Sequence, residues 1–254
     1  MLQSDVIRVF WRPGCTSCLR TKEVLSSHNI KFESIDVQAD PEGLVLLQSL
    51  GAKSVPVVSQ GKDFVFGQSI GDVAAFLSID VDTRPKLSPA ELVEKIDFIL
   101  AAAQRYIGQF PQDTANRDVL NRKRTHRELS FHVFRGGDAL LDCADGVELS
   151  YQYYADNPPT EMRSFGQIVD YGSEIRRRLV SWWDKYDDLS CQGSVTTYFG
   201  EKPIHELMER TAWHAGQHVR QFMMLLEGMD IEPQFPLTSE DFAGLPMPEK
   251  VWDE

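Results

Sequence analysis

The sequence predicts two regions of different fold class, an α/β first region and a nearly all-α second region. Up to about residue 80, short β-branched and aromatic runs alternate with helical stretches in the order βαβαββα. From residue 88 onward, four long stretches carry helical periodicity, which most simply predicts a four-helix bundle. We therefore expect domains at residues 1–80 and 88–254, joined by a linker at 81–87. The chain has 254 residues and 42% hydrophobic content, which is enough for two cores.

Turn and capping residues delimit the elements of the first region. Asp40 and Pro41 open a helix, because an Asp side chain accepts from free backbone N–H groups and Pro suits the first helical position. Gly61 and Lys62 separate two apolar runs and so predict a hairpin. The predicted elements are strands at 6–11 and 31–37, helices at 16–27 and 41–50, a hairpin over 54–67 and a helix at 70–77.

The second region begins with a clear helix start. Ser88 and Glu91 form a capping box, with Pro89 at the first helical position. The run SVTTYFG at 194–200 is typical of a strand. The predicted helices cover residues 89–109, 117–143, 164–186 and 203–229, and the Pro-rich tail from Glu232 to Glu254 is expected to be coil with a short helix.

Composition and charge exclude several classes of protein. A net charge of −12 lacks the sequence-wide basic footprint of a nucleic-acid-binding protein. Residues 1–5 show no basic segment before an apolar core, so no signal peptide is expected. No apolar run approaches the roughly 20 residues of a membrane helix. We therefore expect a cytoplasmic protein without nucleic-acid or membrane partners, and its oligomeric state, a homo-oligomer included, stays open.

Two cysteines separated by two residues, Cys15 and Cys18, form the first candidate site. Such a pair serves either as half of a zinc site or as a redox dithiol. A zinc site needs a second close pair, and Cys143 and Cys191 each stand alone. Cys15 lies where a strand ends and a helix begins, and the positive helix N-terminus stabilises a thiolate and lowers the thiol pKa there. The pattern favours a dithiol in which Cys15 attacks and Cys18 resolves the mixed disulfide.

The first 80 residues resemble an NrdH-like glutaredoxin, a family with the thioredoxin fold. The matching features are the first strand, the C-x-x-C pair at a helix start, and Ser54-Val55-Pro56 farther along the chain. The resemblance implies a cis peptide bond at Pro56, facing the dithiol, and a backbone at Val55 that pairs with a bound thiol peptide. It also gives Arg12 the role of the basic residue before the dithiol.

The second candidate site is a set of histidines in the helical region. His214 and His218 lie four residues apart and therefore share one helix face. The same face carries Leu207, Thr211, Ala215, Phe222 and Leu225. Two imidazoles that point into an apolar interior indicate a shared metal ion, with satisfied core histidines as the alternative.

A third metal ligand is expected from another helix, where His126 and His132 are the candidates. They flank the apolar stripe of that helix on opposite sides, each about 50–70° from its centre, so periodicity leaves both open. His205 lies about 180° from His214 around its own helix and is expected outside the site.

Residues 88–254 resemble the DinB/YfiT-like superfamily, whose members are four-helix bundles with a three-histidine site for a divalent metal. The matching residues are His132 in RELSFHVFR and the pair His214 and His218 in ERTAWHAGQHVRQ. The resemblance implies that these three histidines bind zinc, nickel or iron, all of which accept imidazole. Three protein ligands leave a position open for water or a thiolate, as in catalytic metal sites.

Together the two regions predict a metal-dependent thiol S-transferase, or a related thiol-dependent enzyme, fused to a dithiol exchange domain. The resemblances imply a low-molecular-weight thiol such as glutathione as cofactor, and an electrophilic small molecule or a disulfide as substrate. Two alternatives stay open. One is a thiol-disulfide oxidoreductase whose bundle recruits a client, and the other is a non-catalytic metal or redox sensor.

Two further expectations concern single side chains. An inward-facing member of the triplet Arg176–Arg178 would hold a substrate carboxylate, with a solvated basic face as the alternative. Cys143 is expected to be a small buried residue, and Cys191 is expected to be an exposed loop thiol.

Overall fold

The structure, a computed structural model, describes residues 6–253. The expectation that no signal peptide is present concerns residues 1–5, which lie outside the described residues. The chain divides into two compact units. The first unit runs to Thr83 and includes the tail from Pro248, and the second unit covers Arg84–Met247.

The first unit is an α/β unit built on a four-stranded sheet. Its strands are β1 (Ile7–Trp11), β2 (Glu33–Asp36), β3 (Val57–Gln60) and β4 (Asp63–Phe66), and its helices are α1 (Thr16–Ser27), α2 (Pro41–Ser49) and α3 (Ile70–Leu77). The sheet order is β2-β1-β3-β4, with β1 parallel to β2 and the other pairs antiparallel. The order along the chain is the predicted βαβαββα, and the arrangement fits a thioredoxin-like fold.

The sheet of the first unit is buried on both faces. Successive side chains of β1 point to opposite faces, so Val9 and Phe10 enter different core clusters. Val9 shares its cluster with Leu25 of α1, whereas Phe10 shares its cluster with Cys18 and Val57. Burying one apolar side chain of this size contributes about 1.5–3 kcal/mol. Because α1 contributes a residue to each of the two clusters, its contacts hold it, and with it the cysteine pair, against the sheet.

The second unit consists mainly of helices, with two short hairpins. Its helices are α4 (Pro89–Ile107), α5 (His126–Ala144), α6 (Gln152–Ala155), α7 (Phe165–Trp183) and α8 (Ile204–Glu227). The hairpins pair β5 (Asp118–Val119) with β6 (Arg122–Thr125), and β7 (Ser194–Thr197) with β8 (Gly200–Pro203). The four long helices and the strand in SVTTYFG are thus present as predicted.

The helix predicted over 117–143 starts later than expected. Residues 118–125 form the β5–β6 hairpin instead, and α5 begins at His126. Thr125 caps α5 in a capping box, in which its hydroxyl accepts from the N–H of Glu128 and the Glu128 carboxylate accepts from the N–H of Thr125. The T-x-x-E pattern in the sequence is a signature of this helix start. The polar run before it was wrongly assigned to the helix.

The four long helices pack against one another around a single core. Each of α4 and α5 packs against both α7 and α8. The approach of α5 to α7 requires a glycine, since a Cβ added at Gly172 would lie 2.4 Å from the Phe134 ring. Within the described part of the chain, none of the helices combines the length and the apolar character needed to cross a membrane.

The tail was predicted to belong to the second domain, at 88–254, and this boundary is corrected by the structure. From Pro248 the tail is part of the first unit. The backbone N–H groups of Glu249 and Lys250 donate to the Glu23 carboxylate at 2.7 and 3.0 Å. Lys22 forms an ion pair with Asp253 at 2.6 Å. These polar contacts with α1 hold the last residues in the first unit. No local pattern in the tail could have indicated them.

Candidate dithiol and metal centres

The dithiol centre consists of Cys15 and Cys18 at the start of α1. Cys15 is the N-cap residue, and its sulfur accepts a hydrogen bond from the N–H of Cys18 at 3.3 Å. The two residues form a disulfide, with 5.2 Å between their Cα atoms. Cys15 is half-buried, whereas Cys18 is fully buried. Of the two residues, Cys15 is therefore the more accessible one.

Arg12 lies in the loop that leads from β1 to the dithiol centre. Its carbonyl oxygen accepts a hydrogen bond from the N–H of Cys15 at 3.4 Å. The guanidinium Nε of Arg12 is buried and hydrogen-bonds to no described residue. The structure thus places the backbone of Arg12 against that of Cys15, as expected for the residue that precedes the dithiol in the loop.

Val55 and Pro56 lie beside the dithiol centre, as the resemblance implies. The peptide bond between them is cis, which confirms that prediction. Val55 belongs to the same core cluster as Cys18, with Cys15 packed against it. The buried side chain of Gln68 donates from Nε2 to the Val55 carbonyl at 3.1 Å. Gln68 was not singled out from the sequence, because the contact joins residues from separate elements.

The histidine cluster consists of His132 on α5 and of His214 and His218 on α8. Each offers one ring nitrogen to a group in which these atoms lie within 4.8 Å of one another. The ring centroids are 4.6 to 5.2 Å apart. The three side chains are almost wholly buried, with exposed fractions of 5%, 5% and 1%. The structure therefore brings together the three residues that the sequence proposed as ligands.

The hydrogen bonding of the histidine cluster fits a divalent metal ion. Nδ1 of His132, Nδ1 of His214 and Nε2 of His218 are buried and hydrogen-bond to no described residue. Nδ1 of His218 lies 2.8 Å from the Gln221 side-chain oxygen, which only accepts, so this nitrogen carries the proton. That contact leaves Nε2 of His218 with a lone pair, and it is the orienting contact that metal-binding histidines commonly have.

Burial and nearby cations keep these imidazoles neutral. Burial is the main cause that lowers the pKa values of His132 and His214 well below their ordinary value, and it lowers that of His218 to about 3. The positive charges of Arg122 and Arg124 on β6 lower all three further. Metal binding requires the neutral form of imidazole, and burial favours that form here. The arginine charges, which disfavour an imidazolium, also disfavour a bound cation.

The other candidate histidines of the second unit lie outside the cluster. Nδ1 of His126 lies 3.0 Å from the Arg117 carbonyl, and Nε2 of His205 lies 2.8 Å from the Leu87 carbonyl. His126 is the first residue of α5 and contacts the segment before it, whereas His132 lies farther along the helix, beside α8. Helical periodicity left both His126 and His132 open as the third member of the cluster. The packing of the segment before α5 against His126 leaves His132 as that member.

Two residues beside the histidine cluster were missed by the sequence analysis. The ring of Tyr154 lies 5.8 Å from that of His132 and 5.6 Å from that of His214. The Tyr154 hydroxyl accepts a hydrogen bond from Arg210 Nη1 at 2.8 Å. Arg210 precedes His214 by four residues on α8. This spacing places both residues on one helix face, so the sequence could have indicated that Arg210 lies near the cluster. Tyr154 lies on the short helix α6 and had no such signal.

The arginines of the triplet form ion pairs with carboxylates, and the two single cysteines are buried. Arg176 pairs with Asp97, Arg177 with Glu174, and Arg178 with Asp138 and Asp142. None of the three has a described contact with the histidine cluster. Cys143 is buried as expected, but Cys191 is also buried, which corrects the expectation of an exposed thiol. Burial raises the pKa of each of these thiols to about 11.

Comparisons with known proteins agree with the geometry of the first unit. Residues 7–65 match the family model described as glutaredoxin. Over 53 residues, 20% of this chain, the sequence is 42% identical to the Gene 56 protein of Mycobacterium phage L5, and the match spans about half, 52%, of that protein. Over 61 residues, 24% of this chain, it is 30% identical to the glutaredoxin-like protein NrdH of Lactococcus lactis subsp. lactis (strain IL1403), covering 83% of it.

Proposed function

Since the chain belongs to the glutaredoxin family through residues 7–65, we propose that it is a thiol enzyme with two centres. The dithiol centre exchanges thiols and disulfides. The histidine cluster holds a divalent metal ion and supports transfer of a thiol sulfur to an electrophilic carbon. The whole chain is, in this proposal, a metal-dependent thiol S-transferase with its own dithiol domain.

Thiol-disulfide exchange at the dithiol centre follows from the positions of its two sulfurs. The Cys15 thiolate attacks one sulfur of a substrate disulfide, the substrate S–S bond breaks, and the leaving thiolate takes a proton. The Cys18 thiolate then attacks the Cys15 sulfur of the mixed disulfide and releases the second thiol. The substrate gains two electrons and the cysteine pair becomes the disulfide present in the structure. Two equivalents of a small thiol return the pair to its reduced form.

The observation that carries the metal proposal is the set of ring nitrogens without partners in a buried site. A buried polar atom without a hydrogen bond is unfavourable by about 1–3 kcal/mol, and three of them lie in the histidine cluster. A bound zinc, nickel or iron ion would be held by one ring nitrogen of each histidine, and such an ion would lower the pKa of a coordinated thiol so that it is present as thiolate. Gln221 fixes the tautomer of His218, and Tyr154 covers the rings of His132 and His214.

The two centres are linked in this proposal by a low-molecular-weight thiol such as glutathione. His132, His214 and His218 would hold the metal ion, which would favour the thiolate form of this thiol. The thiolate would form a carbon–sulfur bond with the electrophilic small molecule as the bond from that carbon to its leaving group breaks, and the leaving group would depart as an anion. Oxidation converts part of the thiol pool to disulfide, which the dithiol centre reduces by the exchange described above. This arrangement accounts for the presence of both centres in one chain.

One observation favours a second candidate, a thiol-disulfide oxidoreductase whose helical unit recruits a client. The family match and both relatives concern residues in the first unit, and the cysteine pair there is complete without the second unit. In that case the histidine cluster holds a structural metal ion and no carbon–sulfur bond forms.

A single-turnover assay on the full chain separates the two candidates. Zinc-loaded protein is mixed with glutathione and 1-chloro-2,4-dinitrobenzene as the probe electrophile, and the thioether product is measured. The Cys15→Ser variant is expected to keep thioether formation and to lose disulfide reduction, whereas His132→Ala is expected to do the opposite. His126→Ala is the matched control on the same helix and should keep both reactions. Equal thioether formation in His132→Ala and wild type would overturn the transferase proposal.

A further inference from the structure

Arg210 is a buried cation one turn before His214 on α8. Only 7% of its surface is exposed. Residues four apart on a helix lie on the same face, so Arg210 and His214 extend from α8 in similar directions. Arginine keeps its charge at any ordinary pH, so burial cannot be relieved by loss of a proton.

The contacts of Arg210 leave its charge without a carboxylate. Among residues 6–253, the hydrogen bonding of its guanidinium is limited to the bond from Nη1 to the Tyr154 hydroxyl at 2.8 Å. Nε is buried and has no hydrogen-bond partner. The rings of Tyr154 and Phe199 lie 4.9 and 5.6 Å from its central carbon. Aromatic rings stabilise a cation only in part, and they satisfy neither Nε nor Nη2.

Two other partly buried arginines of the second unit, Arg135 and Arg178, are paired with carboxylates. Arg135 forms ion pairs with Asp138 and Asp156, and Arg178 forms ion pairs with Asp138 and Asp142. Burying a charge is strongly unfavourable unless it is paired and hydrogen-bonded. Arg210 therefore lacks the kind of partner that these arginines have, and its Nε–Nη2 edge has the geometry that binds a carboxylate through two hydrogen bonds.

Tyr154 connects Arg210 with the histidine cluster. Its ring contacts the imidazoles of His132 and His214, and its hydroxyl accepts from Arg210. The hydroxyl hydrogen is donated to no described residue, so it is available to a ligand. The arginine and the phenol thus offer donors to an anion on the side of the cluster that Tyr154 covers.

We propose that Arg210 is the anion-binding residue of the histidine site, and that the ligand of this site carries a carboxylate. The carboxylate binds the Nε–Nη2 edge of Arg210 and the Tyr154 hydroxyl while the reacting group lies at the histidine cluster. This inference rests on the proposed metal function and narrows its substrate class. The carboxylate belongs either to the thiol or to the electrophile, and the experiment below distinguishes these sources.

The test uses the full chain loaded with Co²⁺, with Cys15 and Cys18 both changed to Ser so that thiol probes are not oxidised. Binding of mercaptoacetate and of 2-mercaptoethanol is followed by the sulfur-to-cobalt absorption band. If the thiol carries the carboxylate, mercaptoacetate binds about tenfold to a hundredfold more tightly than 2-mercaptoethanol, since charge-assisted hydrogen bonds are strong. If the electrophile carries it, acetate but not acetamide binds to the 2-mercaptoethanol complex and shifts the cobalt bands.

Variants of Arg210 test whether the preference for mercaptoacetate over 2-mercaptoethanol, or for acetate over acetamide, depends on this side chain. Arg210→Gln is expected to remove the carboxylate preference while its cobalt content and its affinity for 2-mercaptoethanol stay within about twofold of wild type. Arg210→Lys should keep a reduced preference, because lysine cannot bind a carboxylate bidentately. Arg177→Gln, at an exposed arginine of α7, is the matched control and should change nothing. A carboxylate preference that persists in Arg210→Gln, or its absence from wild type in both arms, overturns the inference.

Failure of the metal proposal would be visible separately, as the absence of cobalt bands in wild type. The arginine is then tested in metal-free protein by thermal unfolding. Acetate should raise the Tm of the wild type more than acetamide does, and this difference should vanish in Arg210→Gln. If Arg210→Gln does not fold, Arg210→Lys takes its place in both measurements. Equal effects of acetate and acetamide on the wild type overturn the inference.

Discussion

The dithiol centre and the histidine cluster differ in how their polar groups are exposed and satisfied. Cys15 is half-buried at a helix start, and it forms a disulfide with Cys18. The three histidines are almost wholly buried, and ring nitrogens among them lack partners. The first centre is complete within its own unit, whereas buried ring nitrogens of the second centre have no hydrogen-bond partner among the described residues.

The two centres also differ in the charge that their surroundings favour. The N-terminus of α1 favours a negative sulfur at Cys15. Burial and nearby arginines instead disfavour protonation of the histidines and keep them neutral. A change at one centre is therefore expected to leave the other centre unaffected, and the following experiments test that independence.

The largest expected effect is the loss of disulfide exchange in Cys15→Ser. Because Cys15 is the nucleophile in the proposed exchange, the rate of reduction of a small disulfide such as cystine should fall on the order of a thousandfold. The metal content of the same variant should equal that of wild type. Cys18→Ser, as its control, should accumulate a mixed disulfide on Cys15, detected by mass spectrometry. A mixed disulfide on Cys18 in the Cys15→Ser variant would reverse the assignment.

Removal of one histidine of the cluster should weaken metal binding by about a hundredfold or more, since even loss of an outer contact commonly weakens it 10–100-fold. The affinity of His132→Ala and of His218→Ala for zinc is measured by competition with a chelator. Disulfide exchange should be unchanged in both variants. His126→Ala and His205→Ala are the controls, because their rings contact backbone carbonyls elsewhere. Loss of zinc in His126→Ala with retention of zinc in His132→Ala would show that His126, and not His132, is the third metal ligand.

Thiol labelling should separate Cys15 from the two cysteines of the second unit. Burial raises the pKa of Cys143 and of Cys191 to about 11. At neutral pH their thiolate fraction is therefore lower than that of an ordinary thiol, pKa about 8.5, by on the order of a hundredfold. In reduced native protein, iodoacetamide should modify Cys15 first across the pH range, as followed by peptide mass spectrometry. Equal pH profiles for Cys15 and Cys191 would contradict this.

The effect that is smallest for each group and each pH unit is the loss of stability at mildly acid pH. The folded-state pKa values of the cluster are depressed, so between about pH 6.5 and the folded value the unfolded chain binds protons that the folded chain does not. The free energy of unfolding of the metal-free protein is therefore highest above about pH 6.5. It decreases as the pH falls towards about 3, the pKa of His218 in the folded protein. The loss is at most about 1.4 kcal/mol per pH unit for each histidine.

Urea unfolding of metal-free protein at several pH values measures this slope, followed by a signal from the second unit. His218→Leu should show a smaller slope than wild type, because it removes one of the three groups. The zinc-loaded wild type should be more stable than the metal-free protein at neutral pH, since a ligand that binds only the folded state stabilises it. An identical pH slope in His218→Leu and wild type would show that the buried histidines do not contribute to it.

Much of the first unit could be predicted because its signals are local. The strand run before Cys15, the C-x-x-C spacing and the Asp40-Pro41 helix start each lie within a few residues, and each is found where the sequence places it. The α5 start was missed although its signal, Thr125 with Glu128, was equally local. That error came from weighting apolar periodicity above the cap.

The sequence by itself determined that Cys15 and Cys18 meet at a helix start and that His214 and His218 share a face, because spacing within one helix fixes both relations. Only the tertiary structure decided that His132 rather than His126 joins them, and that Arg210 is buried without a carboxylate partner. The physical reason is that periodicity fixes a residue's direction around its own helix axis, whereas the partner it meets depends on how separate helices pack.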